Sequence, residues 1–130
     1  DIALKFDPVV PVEDDDLVLL KSTYSACIPQ SADFLRYHGV DTIVVCGVKE
    51  GTPNNKKSCI ASSALAFATA GFKTIIASEA TNFWNGHGRK PSPRREADRN
   101  AAFAKHNVSV IPVGDIVGMV RGSRSTLTAG

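Results

Sequence analysis

The sequence predicts an α/β domain of three layers, α-β-α and Rossmann-like, in which helices cover both faces of a mostly parallel sheet. Short apolar runs typical of buried strands alternate with segments typical of helices. The clearest part is residues 41–80, where the apolar runs DTIVVCGV and KTIIASEA flank the Ala-rich stretch KKSCIASSALAFATAGF. Two strands that flank one helix form a β-α-β unit, whose strands are parallel. The length of 130 residues is that of one domain.

The first part of the chain is expected to be less regular. Residues 1–16 have no clear hydrophobic period and contain two prolines, which indicates an arm or irregular segment. The Asp-Asp-Asp run at its end fits a solvated turn better than a metal site. Residues 17–21 have the pattern of a short buried strand that ends in Lys21. A helix is then expected from Ser31, its N-cap, to about residue 38.

The remaining elements are delimited by glycine, proline and capping residues. Gly71 and Asn107 stand where helices end in a residue of positive φ, and Ser92-Pro93 is a typical helix start. The elements expected are a strand at 42–46, a helix from 59 to the glycine at 71, a strand within 73–80, a helix from 93 to about 106, a strand at 108–112, a short helix from 114 or 115 to about 120, and a polar tail at 121–130.

Composition, charge and cysteine content exclude several classes of protein. A net charge of +2 indicates no nucleic-acid partner, and the hydrophobic residues, 43% of the chain, form runs too short to span a membrane. Three cysteines with no C-x-x-C motif argue against a disulfide framework or a structural zinc site. We therefore expect a cytoplasmic protein, from a reducing compartment, with no cofactor and no metal site evident in the sequence.

Cys59 is the candidate nucleophile. With Ser58 as N-cap of the central helix, Cys59 is the first helical residue, where unpaired N–H groups and the positive end of the helix dipole favour a thiolate. The same position lies at the carboxyl end of a parallel strand, where α/β sheets place their ligand sites. The alternative is that Cys59 is a small core residue in an Ala/Ser-rich helix, since free cysteines are often buried.

Two other stretches resemble binding motifs. The loop GVKEGTPNNKKS ends in Lys-Ser before a helix, but a phosphate-binding P-loop needs glycine where Lys56 stands. The stretch TNFWNGHGRKP carries basic residues near Phe83 and Trp84, and a solvated loop explains it better than nucleic-acid binding. Phe83 and Trp84 themselves fit the lining of a pocket or of a subunit interface.

The order of these motifs resembles the isochorismatase-like cysteine hydrolases, a superfamily that includes nicotinamidases, N-carbamoylsarcosine amidases and isochorismatases. The resemblance rests on LLKSTYSACIPQSADFLRYHGVDTIVVCGV followed by SCIASSALAFATAGFKTIIASEA. It covers residues 16–80 well and 92–117 loosely. The shared features are a lysine at a strand end, a helix that ends in Gly-Val-Asp-Thr, a strand that ends in Cys-Gly-Val and a cysteine at the start of the next helix.

The resemblance implies an amidase that hydrolyses a C–N bond of a small molecule through a thioester intermediate. It implies that Cys59 is the nucleophile and that Lys21 is the catalytic lysine. Backbone N–H groups at Ser58 and Cys59 would form the oxyanion hole, and a non-proline cis peptide bond would lie at Val48–Lys49. The residues expected to line the substrate pocket are Tyr24, Phe83 and Trp84.

One departure from the family pattern concerns the N-terminal part. The family's catalytic acid lies on a first strand that this sequence does not contain, and that strand neighbours the one at 42–46. We therefore expect a second chain or a further N-terminal segment to complete the sheet, with residues 1–130 as the C-terminal portion of one isochorismatase-like domain. The family's metal-binding motif falls in the same missing part, so the sequence does not decide whether zinc binds. A homo-oligomer is expected, as in the family.

The other departure is a longer loop before the candidate nucleophile. Ten residues, KEGTPNNKKS, separate Val48 from Cys59. The loop fits a lid over the pocket or a reshaped oxyanion hole, and it also fits an inactive member of the fold that serves assembly or binding. A further alternative is an isochorismatase-type hydrolase in which Cys59 has only a structural role.

Overall fold

The structure is a computed structural model that describes residues 13–54, 57–82 and 90–128, and side chains as far as residue 122. Helices and strands alternate along these residues, as the sequence predicts. The elements in chain order are α1 (Pro29–Tyr37), β1 (Thr42–Val45), α2 (Cys59–Thr69), β2 (Lys73–Ala77) with a 3-10 turn at Ser78–Ala80, α3 (Pro93–Ala104), β3 (Val108–Ile111) and α4 (Val113–Thr128).

The three described strands form one parallel sheet in the order β1-β2-β3. The ladder between β1 and β2 begins with Thr42 opposite Lys73, and the ladder between β2 and β3 ends with Ala77 opposite Ile111. The central strand β2 is buried at every position after Lys73, as expected for a parallel strand covered on both faces. The predicted α/β class is therefore confirmed.

The core lies on both faces of β2 because successive side chains of a strand point in opposite directions. Ile76 packs in one cluster with Ile60 of α2 and Phe103 of α3, whereas Ile75 packs in another with Ile116 of α4. Ile75, Ile76 and Phe103 are at most 1% exposed. Burial of each such side chain contributes about 1.5–3 kcal/mol, so these contacts hold the three layers together.

Two helix ends match the predicted signals. Gly71 follows the last turn of α2 with φ of 96°, and the N–H of Phe72 donates to the carbonyl of Phe67 at 3.1 Å. Asn107 follows α3 with φ of 59°. Both residues provide the left-handed backbone that closes a helix and turns the chain toward the next strand. The sequence-based ends of α2 and α3 are thereby confirmed to within about two residues.

The strand predicted at 17–21 is wrong. These residues belong to no ladder in the described part of the chain, and Leu17, Val18, Leu19 and Leu20 are 41–73% exposed. A strand requires a neighbour for its N–H and C=O groups, and no described residue pairs with this segment. The arm expected at 1–16 lies outside the described residues except for a turn that follows Glu13.

Helices α1 and α4 differ from the prediction at their ends. Helix α1 begins at Pro29, whose fixed φ suits the first helical position. Ser31 is therefore the third helical residue, and its hydroxyl accepts a hydrogen bond from the N–H of Ile28 at 3.0 Å. Helix α4 begins at Val113 and continues to Thr128, so most of the tail expected at 121–130 is helical.

The start of α4 is fixed by an acidic side chain from another element. One Glu79 carboxylate oxygen accepts a hydrogen bond from the Val113 N–H at 2.8 Å, and the other accepts one from the Ser78 hydroxyl. These two hydrogen bonds, the Ser78 bond foremost, hold the pKa of Glu79 below its ordinary value of 4.5. The ionised carboxylate also lies near the positive end of the α4 dipole.

The lowered pKa of Glu79 predicts an acid-sensitive contribution to stability. Because the folded-state pKa is the lower one, this contribution is present above the unfolded-state value near 4.5 and is lost as the pH falls through the folded value. We expect Glu79→Gln to flatten the decline of Tm between about pH 5 and pH 3. Thermal unfolding at a series of pH values measures this, with exposed Asp15→Asn as the control. An acid decline as steep in Glu79→Gln as in the wild type would contradict the prediction.

Candidate active site

The site is built where β1 and β2 end. Beyond the sheet, residues 47–49 continue beside residues 80–82. The Gly47 N–H donates to the Ala80 carbonyl at 3.0 Å, and the Asn82 N–H donates to the Val48 carbonyl at 2.7 Å. Lys49 and Asn82 form a parallel bridge. This extension carries the chain from the carboxyl edge of the sheet to the N-terminus of α2, the position where α/β folds place their sites.

The N-terminus of α2 is capped by the backbone of that same segment. The N–H groups of Ile60 and Ala61, which have no partner inside the helix, donate to the carbonyls of Lys49 and Glu50 at 3.2 and 3.0 Å. Ser58 holds the N-cap position with extended backbone, as predicted, but its hydroxyl does not cap the helix. The predicted cap position is confirmed, and the capping groups are carbonyls of the preceding loop.

Cys59 is the first residue of α2 and is exposed. Ile60 and Ala61 follow it and have their N–H groups engaged by the loop. Within the described residues, the N–H of Cys59 itself has no acceptor. The sulfur therefore stands in solvent beside a free backbone donor at the positive end of a helix dipole. Cys59 therefore lies at the surface, whereas the alternative interpretation made it a small buried core residue.

Gly51 allows the loop to approach the start of α2. Its φ is +71°, and a Cβ atom there would lie 1.9 Å from the hydroxyl oxygen of Ser58. Ser58 is completely buried, so it has no room to move away. A side chain at position 51 would have to displace either the loop or the N-cap residue, and only glycine satisfies both the backbone angle and the contact.

We predict that Gly51→Ala destabilises the protein by about 1–3 kcal/mol, because alanine is strained at positive φ and overlaps Ser58. Gly118→Ala in α4 is the matched control, since a Cβ atom there meets nothing within 4 Å. Alanine at that helical position should stabilise by up to about 1 kcal/mol. Urea unfolding of both variants measures the difference, and equal stabilities would refute this account of the loop.

The cis peptide bond expected at Val48–Lys49 is wrong. No cis bond occurs among the described residues, and the backbone at this point is trans. The bridge to Asn82 and the hydrogen bond from Ile60 to the Lys49 carbonyl fit an extended trans chain that leads into the longer loop. Val48 is 78% exposed, so its side chain lies at the surface of the site.

Lys21 lies on the loop that faces α2. Its ammonium group donates to the carbonyls of Thr23 and Tyr24 at 2.7 and 3.3 Å. The N–H of Ala26 donates to the hydroxyl of Ser63 at 2.8 Å. Ser63 stands four residues after Cys59 and hence on the same side of α2, one turn further on. The loop that follows Lys21 is therefore docked on the helix face that begins with Cys59.

An open cleft of about 390 Å³ runs between this loop, α1 and α2. Alternate residues of the extended segment before the loop line it, as expected for a chain with strand-like geometry. Phe67, two turns after Cys59 on α2, forms the opposite wall. The lining residues are Leu17, Leu19, Lys21, Ala26, Ile28, Ser31, Leu35 and Phe67.

Of the three predicted pocket residues, the structure describes only Tyr24. Tyr24 is 51% exposed, and its backbone carbonyl accepts a hydrogen bond from the Lys21 ammonium group. Phe83 and Trp84 lie outside the described residues, so their place in a pocket stays a prediction.

The three cysteines are free and differ in environment. Burial raises the pKa of the Cys27 thiol, and the positive charge of Arg36 partly opposes that increase. Cys46 and Cys59 are both exposed. Cys46 lies just after β1 and has no helix terminus of its own, so it provides an internal comparison for the reactivity of Cys59.

The structure also brings together a buried charged cluster that sequence reasoning missed. Glu50, in the loop before α2, is completely buried and forms an ion pair with Arg99 of α3 at 2.7 Å. The same carboxylate oxygen accepts a hydrogen bond from the Thr81 hydroxyl at 2.8 Å. A glutamate in a polar loop gives no sequence signal of burial, because its partners are 31 and 49 residues away.

The described residues show neither a metal-binding cluster nor a membrane span. No group of three or more His, Cys, Asp and Glu side chains in this part of the chain is arranged to hold a metal ion. These residues therefore do not fit a zinc site. Among the same residues, no helix has the length and apolar character needed to cross a bilayer.

Comparison with known proteins identifies the class. The family model described as "Isochorismatase domain" matches residues 3–108, so the chain belongs to the isochorismatase domain family. A crystal structure of the pyrazinamidase of Pyrococcus horikoshii in complex with zinc superimposes with a TM-score of 0.56 at 21% sequence identity. The match covers 80% of this chain and 55% of that one, so this chain spans about half the length of the pyrazinamidase. At this identity the likeness shows the fold alone. A search of curated protein sequences gave no match.

Proposed function

We propose that this protein is part of a cysteine hydrolase that cleaves an amide-type C–N bond of a small molecule. The observation that carries the proposal is the position of Cys59, exposed at the first residue of α2 with a free backbone N–H. Membership of the isochorismatase domain family and the fold shared with a pyrazinamidase support the class of reaction.

The proposed reaction has two stages. The Cys59 thiolate attacks the amide carbonyl carbon, and the carbonyl oxygen takes the negative charge, stabilised by the free Cys59 N–H and the helix dipole. The C–N bond then breaks, the nitrogen leaves with a proton from an acid, and a thioester remains on the sulfur. Water, deprotonated by the same group, adds to the thioester and releases a carboxylic acid and the thiol.

The proton-transferring acid is proposed to lie outside the described residues. One edge of β1 pairs with β2, and within the described residues nothing pairs with the other edge. The exposed aliphatic residues at 17–20 lie on the chain that leads to Lys21. A further parallel β-strand on the free edge would bring its own carboxyl end to the edge of the sheet where α2 begins. Lys21 would then hold the acid and the thiolate in their charged forms.

The remaining parts of the proposal concern partners and compartment. The further strand that would pair with the free edge of β1 is proposed to come from another polypeptide segment. We also propose a homo-oligomer. The exposed apolar side chains of α4, among them Val117 and Val120, are candidates for the contact between its copies. Three cysteines with no disulfide between them agree with a reducing, cytoplasmic setting. Since the described residues do not fit a zinc site, no step of the mechanism is assigned to a metal.

Substitution of the nucleophile tests the proposal directly. We predict that Cys59→Ala lowers hydrolysis of small amides such as pyrazinamide or nicotinamide by at least about a thousandfold, since the covalent step is lost. Cys46→Ala, which removes the other exposed thiol, should retain full activity. The release of ammonia from the amide measures both variants. Full activity in Cys59→Ala would refute the mechanism.

One specific observation favours a second candidate, an inactive member of the fold that serves binding or assembly. The carbonyls of Lys49 and Glu50 accept hydrogen bonds from the Ile60 and Ala61 N–H groups, so two of the donors at the start of α2 are not available to an oxyanion. In that case the thiol of Cys59 should react with iodoacetamide no faster than that of Cys46. Mass spectrometry of the labelled peptides separates the two candidates, because a catalytic cysteine reacts much faster near neutral pH.

The proposed role of Lys21 gives a further prediction. Replacement by methionine keeps most of the side-chain volume and removes the positive charge, so Lys21→Met should slow both Cys59 labelling and hydrolysis by about tenfold or more. Lys105→Met, at the exposed end of α3, is the matched control and should change neither rate. If both variants behave alike, Lys21 has no electrostatic influence on the thiol.

A further inference from the structure

We propose that Glu50 is a positioning residue that fixes the N-terminus of α2, and with it Cys59, against the carboxyl edge of the sheet. The inference rests on the proposed function for its catalytic consequence. The structural role itself, by which Glu50 links the segment after β2, α3 and the start of α2, rests on contacts that do not involve a substrate.

The side chain of Glu50 joins two elements that flank the site. One carboxylate oxygen receives the Thr81 hydroxyl at 2.8 Å and the Arg99 guanidinium at 2.7 Å. Thr81 belongs to the segment that follows β2, and Arg99 belongs to α3. The two charged side chains are only 1% and 8% exposed. Ion pairs and hydrogen bonds shielded from water in this way are directional and hold their partners at fixed distances.

The backbone of Glu50 joins the same cluster to α2. Its carbonyl accepts the Ala61 N–H at 3.0 Å, and the carbonyl of Lys49 accepts the Ile60 N–H at 3.2 Å. A displacement of Glu50 would therefore withdraw both acceptors from the first turn of the helix. Cys59 precedes these two residues, so its position and the direction of its N–H depend on the same carbonyls.

Stability alone does not explain a buried glutamate at this position. Its second carboxylate oxygen is buried and has no hydrogen-bond partner among the described residues, which is unfavourable for a charged group. Buried ion pairs generally add little net stability compared with apolar side chains of the same volume. The Glu50–Arg99 pair adds little stability, but it links the segment after β2, α3 and the start of α2 in a fixed geometry. We therefore infer that its role is to place Cys59, the first residue of α2.

The long loop acquires a function in this account. Residues 49–58 were interpreted as a lid over the pocket, a reshaped oxyanion hole or the mark of an inactive site. In the described part of this loop, Glu50 is buried and Gly51 packs against Ser58 at the start of α2. This part of the loop therefore supports the start of the helix. Neither the substrate nor the missing acid is needed for this role.

Amide hydrogen exchange followed by NMR tests the proposal in the full chain. In Glu50→Gln, the Ile60 and Ala61 amides should exchange at least about tenfold faster than in the wild type, because their acceptors lose the charged anchor. The Ile75 and Ile76 amides of β2 report global opening and should change by less than about twofold. Asp98→Asn, an exposed carboxylate on α3 beside Arg99, is the control and should leave all four amides unchanged.

Two further variants keep the test decisive. Thr81→Val removes one hydrogen bond without changing the volume, so it should have a smaller effect of the same kind even if Glu50→Gln fails to fold. Arg99→Lys should restore part of the protection that Arg99→Met removes, because a positive charge is retained. Equal acceleration at Ile60 and Ile75, or no acceleration at Ile60, would overturn the proposal, since the cluster would then be merely structural or irrelevant.

The catalytic consequence has its own readout. If the proposed function holds, Glu50→Gln should lower kcat about tenfold with KM changed by less than about threefold, as expected when a nucleophile is misplaced but substrate binding is retained. A wild-type protein without hydrolytic activity would refute the proposed function and leave the exchange result valid. An altered exchange rate with an unchanged kcat would show that Glu50 anchors the helix without positioning the nucleophile.

Discussion

The hydrogen bonds from the loop carbonyls to the first turn of α2 are the constraint on which the site depends. They connect a ladder that starts in the sheet to a helix that carries a cysteine at its first position. The parallel pairing of β1 and β2 continues through residues 47–49 and 80–82. The position of the start of α2 is therefore fixed relative to β2, the central strand of the core. Cys59, the first residue of that helix, is thus linked to the central sheet by backbone hydrogen bonds.

Within the described residues, only the central strand of the sheet is paired on both of its edges. Strand β2 has a neighbour on each edge and helices over each face, whereas β1 has its outer edge free within the described residues. The aliphatic side chains at 17–20 are exposed on the segment that leads to Lys21. An unpaired strand edge favours association with another strand, and this is the basis on which a further strand is proposed there.

The sequence predicted the elements whose signals are local. The β-α-β unit follows from two apolar runs around an Ala-rich helix, and the left-handed residues Gly71 and Asn107 end their helices as expected. Interactions that depend on distant residues were not predictable. The segment at 17–21 has the composition of a strand but no described partner, and α4 begins where Glu79 reaches it from the end of β2. Glu50 was missed for the same reason.

The geometry of the helix start also limits the chemistry that this site can perform. Of the N–H groups of Cys59, Ile60 and Ala61, the last two are engaged by the loop, and only that of Cys59 has no acceptor among the described residues. Two donors are usual in such sites, and the loss of one donor lowers catalysis by about a hundredfold or more. An active enzyme of this kind therefore needs a second donor besides the Cys59 N–H. The loop carbonyls that fix the start of α2 are thus also the groups that limit the donors available to an oxyanion.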